Sequence, residues 1–325
     1  MNDIFKALTE YLKKFSRVYI MTHKNPDLDG LGSAICLYEI ASSFEKECYI
    51  IDTDDMQNST VQKMYDVLKD KKIEFNMLKE KEAVSSLNDD TLLVIVDVHK
   101  EIMVESSKLL SKSKNVIVID HHVKGNNYIK TTDLSYINSH LSSVTEFMVY
   151  YLKYLNKTVN SIIATIMLTG IEIDTSNYKL KTSEKTFEAA SILASMGADS
   201  ILKQELLKED KEAYLKRSYF VKNSDMINEN MAMCIMDEEI YEPKEIAEVA
   251  EQLLQFNNVE ASFAIGKLKE NIVGVSARSL GNVDVSKIMT ELGGGGHLTD
   301  AAAQIEATKI EDVKKQLIGI IGGIK

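Results

Sequence analysis

Apolar residues in the first half of the chain fall in short unbroken runs: VYIMT at Val18–Thr22, CYIID at Cys48–Asp52, LLVIVD at Leu92–Asp97 and VIVID at Val116–Asp120. Runs of four to six residues, rich in β-branched types and apolar on both faces, suit strands buried in a parallel sheet. Between them apolar positions recur every three or four residues, which predicts helices near Leu31–Phe44, Thr60–Leu68 and Ser143–Leu155, the last capped by Ser142 or Ser143. SIIATIMLTGIEID, from Ser161, is apolar on nearly all sides and predicts a buried helix ending near Gly170–Asp174. Strand and helix patterns that alternate in this way predict an α/β fold, a mostly parallel sheet with helices on both faces.

From about Ser183 to Asn223 the helical pattern continues but grows charged, and Lys203–Arg217 reads as a solvated connector. Beyond it, MAMCIMD, VEASFAIGKL and NIVGVSARS predict strands. Helices are expected at Lys244–Phe256, Val285–Leu292 and near Ile310–Ile320, giving a smaller α/β C-terminal domain. The expected division is 1–205 for the first domain, 206–225 for a helical linker and 226–325 for the second domain. A length of 325 residues agrees with two domains.

Composition narrows the function. With 45% hydrophobic and 27% charged residues the chain is an ordinary globular protein, and its net charge of −11 is a poor footprint for holding long nucleic acid. Cys36, Cys48 and Cys234 form no C-x-x-C pair, which fits a reducing compartment without disulfides. The amphipathic N-terminus places Ile4, Phe5, Leu8, Tyr11, Leu12 and Phe15 at helical spacing and lacks the continuous apolar core of a signal peptide. No run approaches the roughly 20 apolar residues that span a bilayer. The expected location is the cytoplasm, either as a free protein or as the cytosolic part of a membrane-anchored parent.

Candidate chemistry gathers at the strand ends. The first strand runs into His23-Lys-Asn-Pro-Asp27-Leu-Asp29-Gly30, the third into Asp97 and His99, and the fourth into Asp120-His121-His122. In open parallel sheets, ligands bind beyond the carboxyl ends of the strands. The first loop alone could simply cap the next helix, with Asp29 as its N-cap. Several strand ends that all carry Asp or His are a different matter, because the gathered carboxylates would repel one another unless cations turn that repulsion into ligation. Oxygen ligands suit Mg2+ or Mn2+, and the imidazoles tilt the choice toward Mn2+ or another transition metal. Asp174, at the exit of the buried helix, is a further candidate ligand, while Glu172 lies on a different face. Near the C-terminus, Arg278 and Ser279 end a strand, and Gly293–Gly296 precede His297. Glycine-rich backbone and a guanidinium fork both suit phosphate.

In this order the motifs resemble the DHH family of phosphoesterases, named for Asp120-His121-His122, joined to the DHH-associated C-terminal domain that carries Gly-Gly-Gly-His. The resemblance covers essentially the whole chain. Asp52–Asp55, Val96–Lys100, Ala261–Ala264, Ser276–Gly281 and Gly294–Ala302 are most similar to the catalytic half of the cyclic-di-AMP phosphodiesterases. The full-length forms of those proteins carry membrane helices, a PAS domain and a degenerate GGDEF domain. Asp300 and Ala302 depart from the Ala and Gly of the oligonucleotide-degrading relatives, as they do in the cyclic-dinucleotide branch.

The resemblance implies two divalent metal ions, Mn2+ in the first instance. One is held by His23, Asp27 and Asp97, and the other by Asp29, Asp97, His121 and Asp174. It implies that Asp120 orients a histidine, that His122 and His99 meet the phosphate, and that Arg278, Ser279, Gly294, Gly295, Gly296 and His297 grip the nucleotide. Asp97, Asp120 and His122 are then the catalytic group. The implied activity is Mn2+-dependent hydrolysis of cyclic di-AMP to linear pApA. A short-oligonucleotide exonuclease or 3′-phosphoadenosine-5′-phosphate phosphatase, and a nucleotide sensor without catalysis, are the alternatives. The expected partner is a cyclic dinucleotide, with no long nucleic acid and no membrane contact by this chain; a homodimer is left open.

Overall fold

The computed structural model describes residues 1–52, 59–124, 128–307 and 309–323, so Thr53–Asp55 of the second-strand motif lie outside the described residues. The chain divides into two compact units, Met1–Lys208 and Glu209–Lys325.

The first unit opens with α1 (Asn2–Lys14), β1 (Arg17–Met21), α2 (Leu28–Ser42), β2 (Glu47–Ile51), α3 (Ser59–Asp70), β3 (Met77–Leu78), α4 (Glu80–Ser86) and β4 (Thr91–Val96). It continues through α5 (Ser107–Lys112), β5 (Asn115–Asp120) and β6 (Leu134–Ile137) to α6 (Val144–Leu155), α7 (Ser161–Asp174), α8 (Glu184–Ser195) and α9 (Ser200–Leu207). The strands form one sheet in the order β3-β2-β1-β4-β5-β6, with every neighbouring pair parallel. All four strands expected from the sequence are present. β3, β6, α4 and α5 are additional, and at two to seven residues each they are too short to show a period.

Alternation along the strands sorts their side chains between two layers. Val18, Ile20, Leu92, Val94, Ile117 and Ile119 pack with residues of α1, α2, α3, α6 and α7. Tyr19, Met21, Leu93, Ile95, Val116 and Val118 pack with residues of α4 and α5. Both faces are therefore covered, which is why these strands read as unbroken apolar runs. The strand order reverses direction between β1 and β4, and their carboxyl ends open the crevice where α/β sheets bind ligands.

The all-apolar helix α7 packs on α2, and Gly170 lets the two backbones meet: a Cβ there would lie 2.7 Å from Leu28 O. Gly170→Ala should lower folding stability by about 2 kcal/mol, since the clash is with backbone that cannot rotate away. A urea midpoint equal to that of the wild type would show that the helices can part at this point.

The second unit contains α10 (Lys211–Lys222), β7 (Asp225–Met226), β8 (Met231–Ile240), α11 (Pro243–Leu253), β9 (Ala261–Lys269) and β10 (Ile272–Ser279). It ends with α12 (Val285–Glu291), β11 (Gly295–Gly296), β12 (Asp300–Glu306) and α13 (Ile310–Gly323). Its sheet has the order β11-β12-β10-β9-β8-β7, antiparallel except for the β8–β9 pair. One core joins the sheet to α12 and α13, and another joins it to α10 and α11. Within the segment expected as a connector, α10 contributes Phe220 and Val221 to that second core. No helix among the described residues is long and apolar enough to cross a membrane.

Candidate functional site

Five of the six expected metal ligands follow from where β1, β4 and β5 end and α2 begins. Asp27 is the N-cap of α2, its Oδ1 accepting from the amides of Asp29 at 2.8 Å and Gly30 at 3.1 Å. The cap is thus Asp27 and not Asp29. Asp29 instead crosses to the N-terminus of α6, where its two carboxylate oxygens accept from the amides of Val144 and Thr145, both at 2.7 Å. Those orphan amides and the helix dipole favour negative charge on it, against burial and the nearby Asp174 and Asp97, which push the Asp29 carboxyl well above its usual range. The Ser-Ser-x-Thr-Glu pattern that starts α6 marks the cap, but nothing in it points to Asp29 as the partner.

Asp97 sits just past β4 in a left-handed conformation, φ 63°, which aspartate tolerates better than most residues. Its Oδ2 faces His23 Nε2 at 3.4 Å and its Oδ1 faces His121 Nε2 at 3.3 Å. His121 Nε2 is also 3.0 Å from Asp174 Oδ2, which is carried on the last residue of α7. Donor atoms of His23, Asp27 and Asp97 lie within 4.8 Å of one another, and so do those of Asp29, His121 and Asp174. The six expected ligands therefore converge, and the two oxygens of Asp97 face different groups.

These donors fit divalent cations. Asp97 Oδ1 and Asp174 Oδ2 are buried and accept no well-aligned hydrogen bond among the described residues, both facing the same His121 Nε2, so each keeps lone pairs that a cation could take. Without a cation, protons compensate. Burial lowers His23, but Asp97 and Asp27 outweigh it and raise the imidazole to about 9. His121 is likewise held well above its usual value, with Asp174 and Asp97 overcoming the cost of burial. Burial, with Asp174 and Asp97 nearby, raises Asp27 to about 6. Burial also raises Asp97, but His121 and His23 prevail and hold it at about 2.

The signs give a pH prediction. A raised His23 stabilises the metal-free protein fully below pH 6.5, and that contribution is lost as pH climbs through about 9. Cation binding must expel the same protons, so apparent Mn2+ affinity should rise across this window, with net release of at least one proton per chain near pH 7. Calorimetry in buffers of different ionisation enthalpy reads that release directly. Mn2+ uptake without proton release would show that these imidazoles are not ligands.

Asp120 is placed differently. It accepts from His99 Nδ1 through Oδ2, and through Oδ1 from His122 Nδ1 at 2.8 Å and the amides of His121 at 2.7 Å and His122 at 3.1 Å. Burial raises its carboxyl, but His122 and His99 overcome this and hold it far below the usual range. With these donors occupying both oxygens it has little capacity left for a cation, although it lies close to Asp97, His121 and His122. His99, expected against the substrate, has a side chain only 1% exposed, with Nε2 buried and unpartnered; the structure does not place it on a surface a substrate could touch. His122 is 47% exposed. Glu172 is engaged by Lys203 of α9, which accounts for it outside the metal groups.

In the second unit Arg278 ends β10 and lines a cavity of about 320 Å³ with Ser276, Ala302, Gln304, Lys244 and Ile246. Ser279 is buried and accepts from the amide of Gly281 at 2.9 Å. The glycine run is a short strand: Gly295 pairs with Ala302 and Gly296 with Ala301. Cβ atoms at Gly294 and Gly296 would lie 2.2 Å from Ala302 O and 2.4 Å from Ala301 Cα, so both glycines are required for the approach of β12. The amides of Gly293, Gly294 and His297 donate to Thr290, Met289 and Asp300 carbonyls, so those three amides do not line an open phosphate cradle.

The two units correspond to recognised sequence families. Residues 17–171 match the DHH family, N-terminal domain, and residues 228–323 match the DHHA1 domain. Over 320 residues the chain is 38% identical to the cyclic-di-AMP phosphodiesterase GdpP of Bacillus subtilis, covering 97% of this chain and 49% of that protein. It is 34% identical over 322 residues to the cyclic-di-AMP phosphodiesterase PdeA of Listeria monocytogenes, covering 98% and 49% respectively. The chain thus spans about half the length of the curated relatives it matches. Its fold resembles that of an exopolyphosphatase-related protein from Bacteroides fragilis, with TM-score 0.81 and 19% identity over 98% of this chain and 96% of that one. With the DHH motifs at the carboxyl edge of the first sheet and the DHHA1 domain after them, this chain belongs to the DHH family.

Proposed function

We propose that the chain is a phosphodiesterase that hydrolyses cyclic di-AMP to linear pApA with two divalent cations, Mn2+ by preference. His23, Asp27 and Asp97 would hold one cation, and Asp29, Asp97, His121 and Asp174 the other. The observation that carries this reading is the division of Asp97, one oxygen toward each donor group. Such a pair of cations supplies Lewis acidity at phosphorus and a water acidic enough to be a nucleophile near neutral pH. Opening the ring breaks one bond between phosphorus and a 3′ oxygen, leaving a 5′-phosphate and a 3′-hydroxyl. His122 is the residue suited to meet the phosphate and its departing oxygen, because Asp120 holds its Nδ1 and leaves Nε2 as the outward atom. Asp120 and His99 act through His122, as positioning residues. Arg278 and the His297 side chain serve the nucleotide, while buried Ser279 and the glycine strand shape the surface that carries them.

The choice of substrate is supported by similarity to cyclic-di-AMP phosphodiesterases along nearly the whole chain. With Mn2+, cyclic di-AMP should be converted to pApA faster than pApA or 3′-phosphoadenosine-5′-phosphate is consumed. Loss of pApA with cyclic di-AMP left intact would instead assign the chain to short linear substrates. Saturable binding with no hydrolysis under Mn2+, Co2+ and Mg2+ would make it a sensor.

A further inference from the structure

Arg278 and Asp300 stand directly opposite each other in the antiparallel β10–β12 ladder. Their side chains therefore leave the same face of the sheet, with Cβ atoms about 5 Å apart. Both are half-buried, yet they do not close on each other. Arg278 Nη1 donates to Ser276 Oγ at 3.2 Å and Ala277 O at 3.0 Å, while Asp300 Oδ2 accepts from Thr299 Oγ1 at 3.1 Å. The backbone of Asp300 is pinned, with its carbonyl accepting from His297 N at 2.6 Å and lying 2.5 Å from where a Cβ on Gly296 would be. The Asp300 carboxylate therefore leaves the sheet beside Arg278, on the face where the guanidinium would receive an anion.

Such a carboxylate weakens anion binding, and by an amount that depends on the charge of the anion. A phosphodiester carries one negative charge, whereas a terminal phosphomonoester carries nearly two at neutral pH, its second pKa being about 6. Repulsion from Asp300 doubles with that second charge. We propose that Asp300 is a specificity-determining residue that biases the Arg278 site toward phosphodiesters and against phosphomonoester ends. This rests on the reading of Arg278 as a phosphate ligand. A cyclic dinucleotide has no phosphate terminus, and its linear product has one, so Asp300 favours entry of the ring and release of the product.

The test compares binding of AMP and of its methyl ester, which share a base and sugar but differ by one charge, to the full chain with and without Mn2+. In Asp300→Asn, AMP affinity relative to the ester should rise about tenfold at pH 7.5. The gain should shrink toward nothing at pH 5, where AMP is also largely a monoanion. Asp300→Glu keeps the charge and should return the wild-type ratio. An unchanged ratio, a gain that persists at pH 5, or undetectable binding of both ligands by both proteins overturns the proposal. The readout does not use hydrolysis, so its failure leaves the phosphodiesterase reading intact, and failure of turnover leaves this test standing.

Discussion

Asp97→Ala should lower turnover of cyclic di-AMP by about four orders of magnitude, because the substitution removes one donor from each proposed cation site at once. Its two oxygens point to the two donor groups: one faces His23 at 3.4 Å and the other faces His121 at 3.3 Å. The left-handed backbone at φ 63° fixes that orientation, and the amide of Asp97 donates to Ile119 O at 2.9 Å, tying the residue to β5. Rate under saturating Mn2+, together with the number of ions bound after dialysis, checks the prediction. Asp97→Asn, which preserves shape, should lose nearly as much. Turnover within tenfold of wild type by either variant would rule out a shared carboxylate.

Asp120→Asn should behave in the opposite way, with a large loss of stability and a smaller loss of rate. Asp120 accepts from two imidazoles and two backbone amides while fully buried. An amide has one acceptor oxygen, so one side of this network would meet an N–H with another N–H. Breaking a buried charged network from one side typically costs about 3–5 kcal/mol. Because His122 would keep its place in the loop but lose its orientation, rate should fall roughly 10–100-fold, as it does when the support of a metal site is removed. Denaturant midpoints measure the first effect and kcat the second. Ion stoichiometry should stay at the wild-type value; if it falls as in Asp97→Ala, Asp120 is itself a ligand.

The chain's own residues specify much of this arrangement locally. LLVIVD and VIVID are apolar on both faces because both faces of β4 and β5 are covered, so they announce buried parallel strands without help from the rest of the molecule. Acidic and imidazole groups at the ends of such strands must share an edge, since parallel strands all point the same way. That is why His23, Asp27, Asp97 and His121 are found together, while the choice of ligands among the candidates, Asp174 at the end of α7 included, came from the family resemblance. Length set the limit: β6 with four residues and β11 with two carry too little pattern to be read.

Partner choice was decided by tertiary structure. Whether Asp27 or Asp29 caps α2 is not visible in NPDLDG, and the answer lies in α6, more than a hundred residues away, whose free amides take Asp29. His99 and His122 look equivalent at adjacent strand ends, yet packing buries one against Asp120 and leaves the other half-exposed. The glycine run suggested a phosphate cradle, and pairing with β12 made it a strand. Sequence fixes the period and chemistry of each segment, because these depend on near neighbours in the chain. The partners of Asp29, Asp97 and Asp174 in the site come from distant segments, and only packing brings them within hydrogen-bonding or ion-pair distance.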